Sequence, residues 1–373
     1  MIYFDNAATS RFKPRAVKKA LRDSLARSAN PGRGSHDDAI RGAATVEETR
    51  ELLADYLSAK RANVIFTKNC TEALNLAILG TARPGGHVVT TALEHNSVLR
   101  PLNMLQKEGL ISLTIIQPIK GKIDPESIRA AIKDKTYLVA VTAMSNVTGY
   151  SPPLEKIGEI CAQEGVKLLV DGAQALGHRP LSFDEIGIDL LCGAGHKSLH
   201  GIMGTGFLIY GKHTFVTPLM YGGTGTDSAN HYQPVLPPES LESGTLNLPG
   251  IAALKEGILW TKRHYKKNEM RIAEISFFLH QALNENGIQT FSVAGSPLVT
   301  FRLKGYGSAE VADILNEKYK IAVRAGLHCA PLIHHALGTE KEGLIRVSLG
   351  CENTMREAKR LLVSLREIAP STK

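Results

Sequence analysis

The sequence predicts an α/β protein, with a large and mostly parallel sheet plus a smaller α+β domain. Short apolar segments alternate with helical stretches through the first half of the chain, as in strand–helix–strand units. Polar and reactive residues follow directly after those segments, where parallel sheets hold their ligands. At 373 residues, the chain also exceeds what one small core uses and suggests about two domains.

Taken in order, residues 3–14 read as an extended arm. A helix follows, with Ala16, Val17, Ala20, Leu21 and Leu25 on one face. Residues 30–36, ending at His36, form a turn-rich loop, and a helix over 43–57 carries Val46, Leu53 and Leu57 at helical spacing. Strands are predicted at 64–66, 88–90, 113–116, 137–141, 166–170 and 188–192, mostly separated by helices, with another at 206–210. Residues 221–238 are rich in Gly, Thr and Pro and read as a loop reaching a partner subunit. A long helix is expected over 251–285. Strands near 298–303, 322–324 and 344–349, with helices near 309–319 and 355–368, complete the smaller domain.

Composition narrows the class. Hydrophobic residues make up 43% and charged residues 21%, ordinary for a globular chain. No apolar run approaches the roughly 18 residues of a membrane span. The first residues lack a basic segment followed by an apolar one, so no secretory leader is expected and the cytoplasm is the expected location. Cys70, Cys161, Cys192, Cys329 and Cys351 are odd in number, widely spaced and without a CxxC pair. Free thiols are therefore expected, not a disulfide framework or a zinc ribbon. The net charge of +8 is spread along the chain without a dense block or interleaved aromatics. It suits solubility and attraction of small anions, not nucleic-acid binding.

Five strand ends carry the candidate chemistry: Asn69-Cys70-Thr71-Glu72, Glu94-His95-Asn96, Ser145-Asn146, Asp171 to Gln174, and His196-Lys197. The rule for parallel sheets converges them on one crevice. Lys197 follows the small residues Gly193, Ala194 and Gly195. It is either a solvated strand end or a desolvated amine able to form a Schiff base. Thr71 opens a helix after a strand, which makes a phosphate seat or an ordinary N-cap. Neither GxxxxGK[ST] nor GxGxxG is present, so a nucleotide is not the obvious ligand. Asp171 ends the most apolar strand, where an unpaired carboxylate is costly, and a protonated ring nitrogen would serve as its cation. An imine-forming lysine, a pyridinium-pairing aspartate and a phosphate seat together describe pyridoxal phosphate. His95 either lies against such a ring or ends a strand as a satisfied histidine.

Cys329 stands in a loop-like segment, Arg324 to Pro331, with basic groups nearby. That setting favours a nucleophilic thiolate, whereas Cys161 and Cys192 fall in apolar runs and read as packing. His328, His334 and His335 beside Cys329 match no zinc spacing. Arg346 either clamps a carboxylate or makes a surface ion pair.

With these residues in place, nearly the whole chain resembles the class V aminotransferase family, and within it the cysteine desulfurases. The likeness rests on Tyr3 to Thr9, Thr71-Glu72-Ala73, Glu94-His95-Asn96, Ser145-Asn146, Asp171 to Gln174, Gly195-His196-Lys197 and Gly244-Thr245, in family order. The segment from Arg324 to Ala330 resembles the short cysteine loop of the selenocysteine lyase-like subgroup.

The resemblance implies pyridoxal-phosphate fold type I, of the aspartate aminotransferase kind. Its large domain would span 15–255 and its small domain would combine 1–14 with 256–373. It implies that Lys197 holds the cofactor, Asp171 pairs with the ring nitrogen, Gln174 meets the ring hydroxyl and His95 stacks on the ring. Thr71 and His196 would hold the phosphate, helped by Thr245 from the other subunit of a homodimer, and Glu72 would be a further cofactor-binding residue. Asn146, Arg346, Arg324 and His36 would serve the amino-acid substrate. The activity implied is removal of sulfur from L-cysteine, giving L-alanine and a persulfide on Cys329 for a sulfur-acceptor protein of iron–sulfur or thiolation pathways. Selenocysteine lyase or another class V reaction is the alternative. Two positions depart from the family pattern. Ala194 replaces the usual hydroxyl residue before Gly-His-Lys, and Leu327 stands where many of the subgroup have a second histidine.

Overall fold

The computed structural model describes residues 1–27, 29–31, 34–225 and 229–369. The chain begins with β1 (Ile2–Tyr3), α1 (Arg15–Ala26), α2 (Asp37–Tyr56), β2 (Ala62–Thr67), α3 (Cys70–Gly80), β3 (Gly86–Thr91), α4 (Asn96–Lys107) and β4 (Ile111–Ile116). It continues through α5 (Pro125–Ala131), β5 (Thr136–Thr142), α6 (Leu154–Gln163), β6 (Lys167–Asp171), α7 (Phe183–Ile186), β7 (Leu190–Ala194) and β8 (Gly206–Gly211). The last part holds α8 (Leu248–Glu285), β9 (Gln289–Thr290), β10 (Leu298–Arg302), α9 (Ser308–Glu317), β11 (Ile321–Ala322), β12 (Arg324–Gly326), α10 (Pro331–Leu337), β13 (Leu344–Ser348) and α11 (Met355–Ile368).

The large sheet has seven strands in the order β2-β8-β7-β6-β5-β3-β4. Strands β7, β6, β5, β3 and β4 pair in parallel, and β8 is antiparallel to both β7 and β2. Because β8 is reversed against both neighbours, β2 runs with the parallel set. The carboxyl ends of β2, β3, β5, β6 and β7 therefore open on one edge. All of β5 is buried, which is why it reads as a continuous apolar run without alternation. Its side chains alternate between two cores. Val139 and Val141 join the residues of α2, α6 and the first half of α8, whereas Leu138 and Ala140 join those of α3 and α4.

The smaller part is the antiparallel sheet β12-β13-β10-β9 with the parallel pair β1-β11. The N-terminal arm belongs to its core through Ile2 and Phe4, packed with Val299, Phe301, Val347 and Leu361. Helix α8 spans 38 residues, about 57 Å at the usual rise, and serves both bodies. Ile251, Leu254 and Ile258 pack in the large core, and Ile272, Ile275 and Leu279 in the small one. The passage between cores thus falls inside a continuous helix.

Helix α2 starts at Asp37, earlier than the spacing of large apolar residues predicts. Asp37 and Asp38 occupy its first turn, where negative charge is favoured, and the small residues Ala39 and Gly42 are buried there. Residues 221–225 and 229–238 form no helix or strand. Residues 226–228 of that predicted loop, and Gly32 and Arg33 of the earlier one, lie outside the described residues. Among the described residues, no helix is long and apolar enough to cross a membrane.

Candidate active site

One cavity at the shared strand edge is lined by Cys70, Thr71, His95, Ser97, Asn146, Asp171, Gln174, Ala194, His196 and Lys197, among others. All five strand ends singled out in the sequence contribute to it. Gly206 lets the first of them approach: a Cβ there would stand 2.4 Å from the Asn69 carbonyl carbon, so β8 and the start of α3 pack backbone to backbone.

Lys197 lies deep in the fold and is half-buried, because its side chain faces the cavity. Burial pushes its amine down, opposed by the nearby Asp171 carboxylate. That favours the neutral, nucleophilic form. Asp171 is 5% exposed at the end of β6. Its Oδ1 accepts the Ala173 amide at 2.9 Å and faces the Cys70 thiol at 3.7 Å. Among the described residues no cation bonds it, so a buried carboxylate is left facing the cavity.

His95 Nδ1 accepts the Ser97 amide at 3.1 Å, and burial pushes its pKa down. The neutral ring assigned by that bond carries its hydrogen on Nε2. Ser97 Oγ lies 2.8 Å from Thr71 Oγ1 and 2.9 Å from His95 Nδ1, joining two of the predicted groups. His196 Nδ1 is buried without a partner, and burial, with Lys197 and Lys13 nearby, lowers the ring to about 4. Gln174 Nε2 donates to the Ala7 carbonyl of the arm at 3.1 Å.

The smaller domain meets the cavity through bonds to Asn96 and Asn146, while Arg324, Cys329 and Arg346 are not among its lining residues. The loop after β12 is pinned by Asn146 Nδ2 donating to the His328 carbonyl at 2.6 Å and by the Asn96 amide donating to the Cys329 carbonyl at 2.7 Å. Arg324 Nη2 lies 3.7 Å from Cys329 Sγ. Arg346 is 1% exposed, donating from Nη1 to the Asn146 carbonyl at 3.0 Å and from Nη2 to Asp5 Oδ1 at 3.2 Å. Its Nε is buried without a partner, and burial lowers its pKa to about 10. Asp5 lies inside the Tyr3 to Thr9 motif, yet the sequence assigns no role to it or to Ser97 in the cavity, and only tertiary structure brings Asp5 to Arg346.

Three predicted residues stand elsewhere. The Glu72 carboxylate accepts the Lys68 amide and lines a separate cleft, because a glutamate in the first helical turn folds back on the preceding chain. Thr245 lines that same cleft within its own chain. His36 is exposed as the residue preceding α2 and does not line the cavity.

The parallel sheet with a lysine, a buried aspartate and a histidine around one cavity defines a pyridoxal-phosphate enzyme of fold type I. The chain belongs to the class-V aminotransferase family, whose model matches residues 2–361. It is 32% identical over 99% of its length to a probable cysteine desulfurase of Methanothermobacter thermautotrophicus, covering 94% of that relative. A putative cysteine desulfurase IscS 1 of Bacillus subtilis is 31% identical over 96% of each chain. Among solved structures, the apo cysteine desulfurase of Thermococcus onnurineus is similar with a TM-score of 0.91 and 33% identity, covering 98% of this chain and 94% of that one.

Class-V enzymes work through pyridoxal 5'-phosphate, and the donor set here fits it. The group needs an amine, a partner for its ring nitrogen and donors for its phosphate. Lys197, the uncompensated Asp171 carboxylate, the Thr71 hydroxyl at the start of α3 and the Ser97 hydroxyl at the start of α4 offer these, with the buried unpaired His196 Nδ1 beside them.

Proposed function

We propose that the chain is a cysteine desulfurase, taking L-cysteine to L-alanine and holding the sulfur as a persulfide on Cys329. The observation that carries this reading is the docking of the Cys329 loop against Asn96 and against Asn146, which lines the same cavity as Lys197. Relatives covering almost the whole chain carry that activity in their names.

Pyridoxal phosphate, when bound, supplies an electron sink for the substrate α-carbon. Lys197 anchors it and Asp171 charges its ring nitrogen, while His95 covers the ring and Gln174 meets the ring hydroxyl. Thr71 and His196 hold the phosphate, helped by the α3 amides. Arg346 and Asn146 orient the substrate carboxylate, with Arg324 beside the nucleophile. Freed by the substrate, the Lys197 amine takes the α-proton and returns protons to carbon. The Cys329 thiolate attacks the substrate sulfur. The new S–S bond forms as the C–S bond breaks, the substrate β-carbon gains a proton, and alanine leaves.

The body of 15–255 thus holds the cofactor, and 1–14 with 256–373 supplies Cys329 and Arg346. The chain works as a homodimer, and Thr245, which does not line its own chain's cavity, completes the partner's phosphate site. The persulfide passes to a sulfur-acceptor protein in the cytoplasm, where five free cysteines would stay reduced.

The test incubates purified protein with L-cysteine and measures alanine and persulfide. Cys329→Ala should keep the bound cofactor's absorbance and lose about 10³-fold or more of alanine formation. Full activity of that variant under reductant, or amino-group transfer to a keto acid without persulfide, sinks the reading.

A further inference from the structure

We propose that Lys13 is a positioning residue for this reaction, its ammonium holding the His196 carbonyl and through it the turn that presents Lys197. The inference rests on Lys197 being the cofactor lysine.

The turn follows β7 and closes with the Gly201 amide on the Gly195 carbonyl at 2.8 Å and the His200 amide on the Lys197 carbonyl at 2.9 Å. The N-terminal arm grips this turn at both ends. At one end the His196 carbonyl is approached by the Ser10 amide at 3.1 Å, Ser10 Oγ at 3.0 Å, Thr9 Oγ1 at 3.3 Å and Lys13 Nζ at 3.0 Å. At the other, His200 Nδ1 faces the Phe12 carbonyl at 3.2 Å, and the Phe12 ring packs against His200 and Trp260 with centroids 5.9 and 5.3 Å away. Lys197 stands between the two grips.

Lys13 is unusual for a lysine. It is half-buried, makes no ion pair among the described residues, and bonds only neutral acceptors, the second being Ser10 Oγ at 2.8 Å. The titratable groups facing it are Glu352, from the connection between β13 and α11, and the rings of His196 and His200, both lowered to about 4. Burial outweighs the pull of Glu352 and lowers its pKa to about 8. An ammonium confined like this would move to solvent unless its bonds were worth keeping. A charge-assisted bond to a crowded carbonyl is roughly twice as strong as a neutral one. The same arm binds the substrate-side arginine, with Asp5 on Arg346 and the Ala7 amide on Ser348 Oγ at 2.9 Å. Displacement of Lys13 would therefore be felt at the Lys197 turn, which the arm connects to the smaller domain.

The experiment compares Lys13→Met, Lys13→Gln and Lys13→Arg with the parent as holoenzymes. It reads the pH midpoint of the absorbance of cofactor joined to Lys197, kcat and KM for L-cysteine, and Tm. Lys13→Met and Lys13→Gln should shift the midpoint by about half a unit or more and lower kcat about tenfold, with KM nearly unchanged. Lys13→Arg, which keeps the charge, should restore both. If the Met variant does not fold, the Gln variant, which keeps a donor without the charge, carries the same readouts. A neutral variant with parental midpoint and kcat, or one that loses only Tm, overturns the proposal. The midpoint does not need L-cysteine as substrate, so failure of the desulfurase reading shows separately as a parent enzyme that makes no alanine.

Discussion

The carbonyl of Cys329 accepts a 2.7 Å hydrogen bond from the amide of Asn96, the residue after His95. The Cys329 loop is thus joined by one hydrogen bond to the residue that follows His95, which lines the cavity. His328 and Cys329 both adopt left-handed backbone, with φ of 51° and 59°. Such a conformation costs non-glycine residues on the order of 1–3 kcal/mol each and persists where surrounding bonds enforce it. The bonds to Asn96 and Asn146 do so here.

Removing one of those bonds should loosen the loop. Asn146→Ala leaves the buried His328 carbonyl unpaired, at a cost of about 1–3 kcal/mol. Urea unfolding should show that loss, and alanine formation should fall more than cofactor absorbance does. Unchanged stability would mean that the loop holds its own shape.

Ala194 is 2% exposed and lines the cavity, where it offers no hydroxyl. Ala194→Ser should tighten cofactor binding by about tenfold, the effect of one net hydrogen bond to a charged group. Titration of the apo-protein with pyridoxal phosphate measures it. Weaker binding would show that Ser does not fit against the core behind it.

Arg346 is a buried guanidinium whose loss leaves Asp5 and the Asn146 carbonyl unpaired. Arg346→Ala should destabilise the protein by about 3 kcal/mol, the low end for buried pairs because Asp5 keeps some solvent. KM for L-cysteine should rise together with that loss. A rise in KM alone would mean that the Asp5 pair adds little to folding.

Glu94 is 0% exposed, its Oε1 accepting from Thr91 Oγ1 at 2.6 Å while Oε2 has no partner. Burial pushes its carboxyl up from 4.5 to about 8. The folded state therefore keeps a proton that the unfolded chain releases above about 4.5, and stability from this group declines as pH rises toward 8. Buried His200, lowered to about 4, acts in the opposite sense, withdrawing stability as pH falls below 6.5. Glu94→Gln should flatten the alkaline decline, with an advantage on the order of a few kcal/mol at pH 9 and little at pH 5. Urea midpoints across that range check it, and a parallel shift at every pH would contradict it.

Much of this was legible because strand ends in a parallel sheet share an edge. Apolar runs at 137–141 and 166–170 located central strands, and the polar residues after each run lined one cavity without any long-range information. Helix α11 matched its expected span because Thr354 and Glu357 form a capping box. Helix α10 was not foreseen, being a single short turn-rich segment that starts at Pro331 and stops at the left-handed Gly338.

The sequence by itself determined the periodicities, the order of strands and helices, and the residue types able to hold pyridoxal phosphate, since these depend on near neighbours in the chain. Tertiary structure alone decided which polar groups became partners. Asp5 meets Arg346, Lys13 meets His196 and Asn96 meets Cys329, pairs that stand 341, 183 and 233 positions apart in the chain. No local pattern encodes such pairs, because burial selects them only after the two cores have packed around α8.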